Sequence, residues 1–236
     1  MKIAIAVLTL IAAVAFAGSP FLSSGFNGFS ADQFPVPQVD PPIQPAGYAF
    51  SIWGLIYLWL IAGTGFGAVM RPRSGDWDAA RLPLLISLAV GSFWIAIAQV
   101  SVIWATVMIW VMLVAALAAL VRAGTEDRWL QREAIGAYAG WLTAASSVSV
   151  GLMLAGYGLA SQTVAAYIGL GLALIIAAAM QRARPDSLAY PGAVIWALVA
   201  VIVSNLDPVN AGVLGLSALG IAYLGWAAAR TRRAAI

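Results

Sequence analysis

The chain has 236 residues, of which 63% are hydrophobic and 9% charged, with a formal net charge of +3. Soluble domains carry roughly 45–50% apolar and about 25% charged residues, so this composition calls for lipid as the solvent. With neither Cys nor His, disulfides, thiolate chemistry, imidazole bases and the common zinc sites are excluded.

Apolar runs in chain order predict eight spans, at 3–21, 44–70, 82–98, 101–121, 133–156, 162–180, 188–205 and 210–229. Each approaches the ~20 residues that cross a bilayer, the third and seventh being short. Residues 82–121 form one apolar stretch. Roughly 40 residues of helix would be twice a bilayer's thickness, so it must turn, and Gln99-Val100-Ser101 is its most polar point. Residues 1–17 can also be read as a signal peptide, with Lys2 before an apolar core and Ala15-Phe16-Ala17 before Gly18. Whether they are retained or cleaved stays open.

The cations sort by connection. Lys2 precedes the first run, and Arg230, Arg232 and Arg233 follow the last. Arg71, Arg73 and Arg81, then Arg122, Arg128 and Arg132, then Arg182 and Arg184 occupy alternate connections. The remaining connections carry only Asp32, Asp40 and Asp207. This positive-inside pattern predicts an all-α, polytopic bundle with both termini cytoplasmic, and it suits a multi-pass protein of a prokaryotic inner membrane. The arginines hug span ends and do not form a nucleic-acid surface. No Asp, Glu, Lys or Arg is expected within a span, which argues against a proton-driven carrier.

Residues 22–43 form the longest polar connection, with Pro35, Pro37, Pro41 and Pro42 interleaved with Phe26, Phe29 and Phe34. Proline disfavours helix here, and three loop phenylalanines shun water. The loop is therefore expected to fold over the bundle as a lid. Small residues at spacing four, Gly63/Gly67, Gly136/Gly140 and Ser147/Gly151/Ala155, read as packing seams. Trp77, Trp129 and Trp226 are expected in the interfacial belt.

The second span opens densely, with Pro41, Pro42, Pro45 and Gly47 beside Tyr48, Phe50, Trp53 and Tyr57. Pro45 suits a first helical turn. Phe50, Trp53 and Tyr57 are spaced 3 and 4 apart and share one helix face. From spacing alone this stripe serves either ordinary helix packing or an apolar wall for a planar, amphipathic ligand. No residue is placed to act as nucleophile, base or metal ligand, so no catalytic or metal site is expected and no cofactor is required.

Pro41-Pro42, Pro45, Phe50, Trp53-Gly54-Leu55-Ile56-Tyr57 and Gly63 together resemble the second-helix signature of the translocator protein, or tryptophan-rich sensory protein (TspO/MBR), family. Tyr138-Ala139-Gly140-Trp141, followed by Ala145-Ser146, is similar to its fifth-helix motif. Ala137 stands where the family has proline, Ser149 where it has asparagine, and Trp94 keeps a third-helix position with Gly91 in place of asparagine. The resemblance covers residues 1–155 and implies a five-helix core, leaving 156–236 as three additional helices of the same membrane domain. It implies a pocket for porphyrins or other flat hydrophobic ligands beneath the first loop, drawing on Pro42, Pro45, Tyr48, Phe50, Trp53, Tyr57, Trp94, Tyr138, Trp141 and Ser146. Arg132, Tyr138 and Leu142 also fit the loose cholesterol-recognition pattern. The function expected is a membrane sensor or binding protein for a tetrapyrrole-like ligand. A small-molecule exporter using the same cavity, or a structural subunit, are the alternatives. The expected partners are the bilayer and a hydrophobic small molecule, with a homodimer left open.

Overall fold

The computed structural model describes residues 1–23 and 25–234, the side chains of 232–234 excepted. The side chains of Arg232 and Arg233, counted above among the cations, thus lie outside the described residues. Eight α-helices follow one another: α1 Lys2–Gly18, α2 Ile52–Val69, α3 Gly75–Ala98, α4 Val102–Arg122, α5 Arg132–Gly156, α6 Gln162–Ala183, α7 Ala189–Ser204 and α8 Ala211–Ala234. Seven helical segments are long and apolar enough to cross a membrane, while α7, at 16 residues, is shorter.

Side-chain caps set the starts of α3, α4 and α6. The third helix begins at Gly75 rather than residue 82, because the Ser74 hydroxyl accepts from Trp77 N–H and Asp76 and Asp78 complement the first turn's dipole. The turn after α3 falls at Gln99–Ser101 as expected, and Ser101 caps α4 by accepting from Trp104 N–H.

The helices close two rings that share α5. In the first, α1 packs on α2 and α3, α3 on α4, α4 on α5, and α2 returns to α5. In the second, α5 packs on α6 and α7, and both of these pack on α8. A helix walled on both sides needs small residues. A Cβ on Gly140 would lie 2.3 Å from the Tyr190 carbonyl of α7, and one on Gly136 would lie 2.5 Å from Ser187 Oγ. Gly63 and Gly67 make the corresponding close approaches to Leu130 and the Trp77 ring.

The described cations and the acids paired with them gather at one end and do more than mark topology. Three of those described are buried within helices, against expectation: Arg81, Arg132 and Glu133 are 4%, 5% and 0% exposed. Each is compensated. Arg81 donates to the Gly67, Arg71 and Pro72 carbonyls at the C-terminal end of α2 and lies 3.5 Å from Asp78. The Glu133 carboxylate accepts from Leu188 and Ala189 N–H at the start of α7, and from Arg128 Nε at 3.1 Å. Arg184 donates to the Leu120, Val121 and Ala123 carbonyls closing α4. The Asp127 carboxylate beside Arg71 raises that guanidinium's pKa. Burial pushes Asp186 up, but the hydrogen bond and charge of Arg184, with the charge of Arg132, outweigh it and hold the carboxyl below its usual range. Trp77 is buried in this layer, its indole donating to Asp127, so it is not a belt residue. Trp129 and Trp226 are exposed.

Candidate aromatic ligand site

The end of the bundle opposite the ion pairs is covered by residues 25–46. Four anchors seat this strap. Phe34 is buried against Gly156, and Val36 N–H donates to the Gly156 carbonyl at 2.9 Å. Ile43 fits between Gly151 and Gly169, joining α5 to α6. Asn205 and Ser204 of the second ring donate to the Pro42 and Gln44 carbonyls, both at 2.8 Å. Gln33 Nε2 donates to the Ala98 carbonyl at 2.9 Å and ties the strap to α3. The loop is a packed lid, held by helices from both rings.

Beneath it lies a cavity of about 230 Å³ lined by Phe16, Pro20, Gly25, Phe26, Asn27, Phe50, Trp53, Tyr57, Trp94 and Ile95. Phe50 leaves the short 3-10 turn Gly47–Ser51, and Trp53 and Tyr57 follow in α2. Trp53 and Tyr57 stack with centroids 5.2 Å apart and 16° between planes. Phe16 of α1 meets both edge-on, at 5.6 and 5.1 Å. Phe26 of the lid meets Phe50 at 6.1 Å and Trp94 at 4.7 Å. A smaller hollow of about 60 Å³ adjoins it, sharing Phe26, Phe50 and Trp94 and adding Pro45, Trp141, Ser147 and Ser149 with apolar residues of α6 and α7.

Of the residues expected at the site, Phe50, Trp53, Tyr57 and Trp94 line the larger cavity, and Pro45 and Trp141 the smaller. Tyr138 lies behind them, 5.6 Å from Phe16, its hydroxyl bonded to Ser87. The rest point elsewhere. Tyr48 is 45% exposed and packs edge-on against Trp196, because residues two apart on a helix do not share a face. Pro42 turns its carbonyl to Asn205. Ser146 donates to the Ile109 carbonyl of α4, whereas its neighbour Ser147 lines the hollow. The cholesterol-pattern residues Arg132, Tyr138 and Leu142 are all buried and offer no lipid-facing surface.

Phe16 and Phe26 close the cavity without having been singled out for it. Phe26 carried a signal as a loop phenylalanine, but Phe16 sits in an unremarkable apolar run.

The family model for TSPO-like protein matches residues 3–229. The chain belongs to the TSPO-like protein family. The match takes in α6–α8 as well as the first ring. No curated protein and no solved structure matched the chain. Membership makes this an integral membrane protein of a ligand-binding and sensory family that is generally non-enzymatic.

Proposed function

We propose that this TSPO-like protein is a membrane-embedded sensor or binding protein for a planar hydrophobic ligand of the tetrapyrrole class. The observation that carries the reading is the aromatic cavity under the lid, where the stacked Trp53–Tyr57 pair faces the edge of Phe16. Flat walls favour a flat ligand, through burial of its faces and offset or edge-on ring contacts. The charged end, with cations from Lys2 to Arg184, faces the cytoplasm by the positive-inside rule, so the cavity lies toward the outer side.

Titration of the protein in lipid nanodiscs with protoporphyrin IX tests the reading. A saturable shift of the porphyrin absorbance band at one equivalent is expected. A signal that tracks lipid partitioning alone would remove the proposal.

A further inference from the structure

We propose that the Trp141 indole N–H is the polar anchor of this ligand site, and that it selects a neutral ligand edge bearing one carbonyl-type acceptor. The inference rests on the reading of the aromatic cavity as a ligand site. Trp141 is 2% exposed, yet its Nε1 is buried without a hydrogen-bond partner. A buried donor left unpaired is costly, so its partner is expected from what enters the adjoining hollow.

Most neighbouring polar groups are already engaged. Trp94 Nε1 donates to the Ala105 carbonyl at 2.8 Å, and the Tyr138 hydroxyl pairs with Ser87 at 2.9 Å. Ser147 and Ser149 donate back to the Thr143 and Ser146 carbonyls of their own helix, at 2.8 and 2.7 Å. Among the groups lining the hollow, the Trp141 indole is the deeply buried donor left without a partner, the Gln44 amide beside it being only half-buried. The wall also contains no Lys or Arg. A carboxylate placed there would be a buried charge without a counter-ion, which excludes acids. A ketone, lactam or ester oxygen on an otherwise apolar frame asks for one donor. For a tetrapyrrole this places the neutral edge inward and any ionised side chains at the lid.

Fluorenone and fluorene share one flat ring frame and differ by the carbonyl. Their partition-corrected affinities for the full-length protein in nanodiscs, with fluorene carboxylate as the acid, test the anchor. Fluorenone is expected to bind about tenfold more tightly than fluorene, the contribution of one hydrogen bond to a buried donor, and the carboxylate more weakly than either. In Trp141→Phe the ratio of fluorenone to fluorene affinity should fall to about one, since both ligands lose the same ring contact and only fluorenone loses the hydrogen bond. Equal affinities in the wild type, or a preference that survives Trp141→Phe, would overturn the anchor. Saturable fluorene binding without a carbonyl preference removes the anchor and leaves the cavity reading standing, whereas binding of neither removes both.

Discussion

Phe34 of the lid lies over Gly156 at the end of α5, so close that a Cβ on Gly156 would fall 2.2 Å from its Cδ1. The strap is therefore keyed to a position where only hydrogen fits. Gly156→Leu should push Phe34 out and lift the lid at a cost of about 1–3 kcal/mol. Limited proteolysis in the loop reads this, with faster cleavage near Phe29 in the variant. Unchanged cleavage would mean that the lid is not held there.

Glu133 is the most deeply buried charge among the described residues, joining the start of α5 to the start of α7. Glu133→Ala strands Arg128 and two helix-terminal amides, and a loss of about 3–5 kcal/mol is expected. Glu133→Gln keeps an oxygen for the amides and should lose less. Thermal unfolding in detergent separates the two, and equal losses would contradict the capping role.

Asp186 holds Arg132 and Arg184 together. Its carboxyl is depressed in the folded protein, so its contribution is present above the unfolded-state value near ~3.9 and is lost as pH falls through the lower, folded value. The gap in melting temperature between wild type and Asp186→Asn should accordingly be constant from neutral pH to about pH 5 and narrow below about pH 4. A gap that persists at pH 2–3 would place the stabilisation outside the ionised pair.

The architecture was readable because lipid and charge impose strong local rules. Runs of apolar residues fixed all eight helices, and the alternation of arginines fixed which connections share an end. Where the reading misplaced a helix start, at Arg81, it treated a charge as a boundary. Local sequence does not show that the Gly67 carbonyl of α2 and the Arg71 carbonyl just beyond it lie within reach of that guanidinium. The site was half legible for a similar reason. Spacing put Phe50, Trp53 and Tyr57 on one face, since that is a property of one helix. Phe16 and Phe26 arrive from α1 and from the lid, and only packing between elements brings them there. Ser146 and Ser147 are adjacent, and which of them faces the hollow depends on the rotation of α5 between its two rings.

Removing the indole of Trp53 should also expose how far the cavity depends on stacking. In Trp53→Leu the helix keeps an apolar residue, while the parallel partner of Tyr57 and the ring facing Phe16 are gone. Loss of one such ring contact is worth about 0.5–1.5 kcal/mol beyond area, which gives a roughly three- to tenfold weaker ligand even before the lost burial is counted.

The most direct test compares protoporphyrin IX isotherms of wild type, Trp53→Leu and Trp226→Leu in the same nanodiscs, Trp226 being exposed on the last helix. Saturable wild-type binding, weakened at least about tenfold by Trp53→Leu and left unchanged by Trp226→Leu, is the expected result. Identical isotherms for all three would show that the porphyrin does not enter the slot beneath the lid.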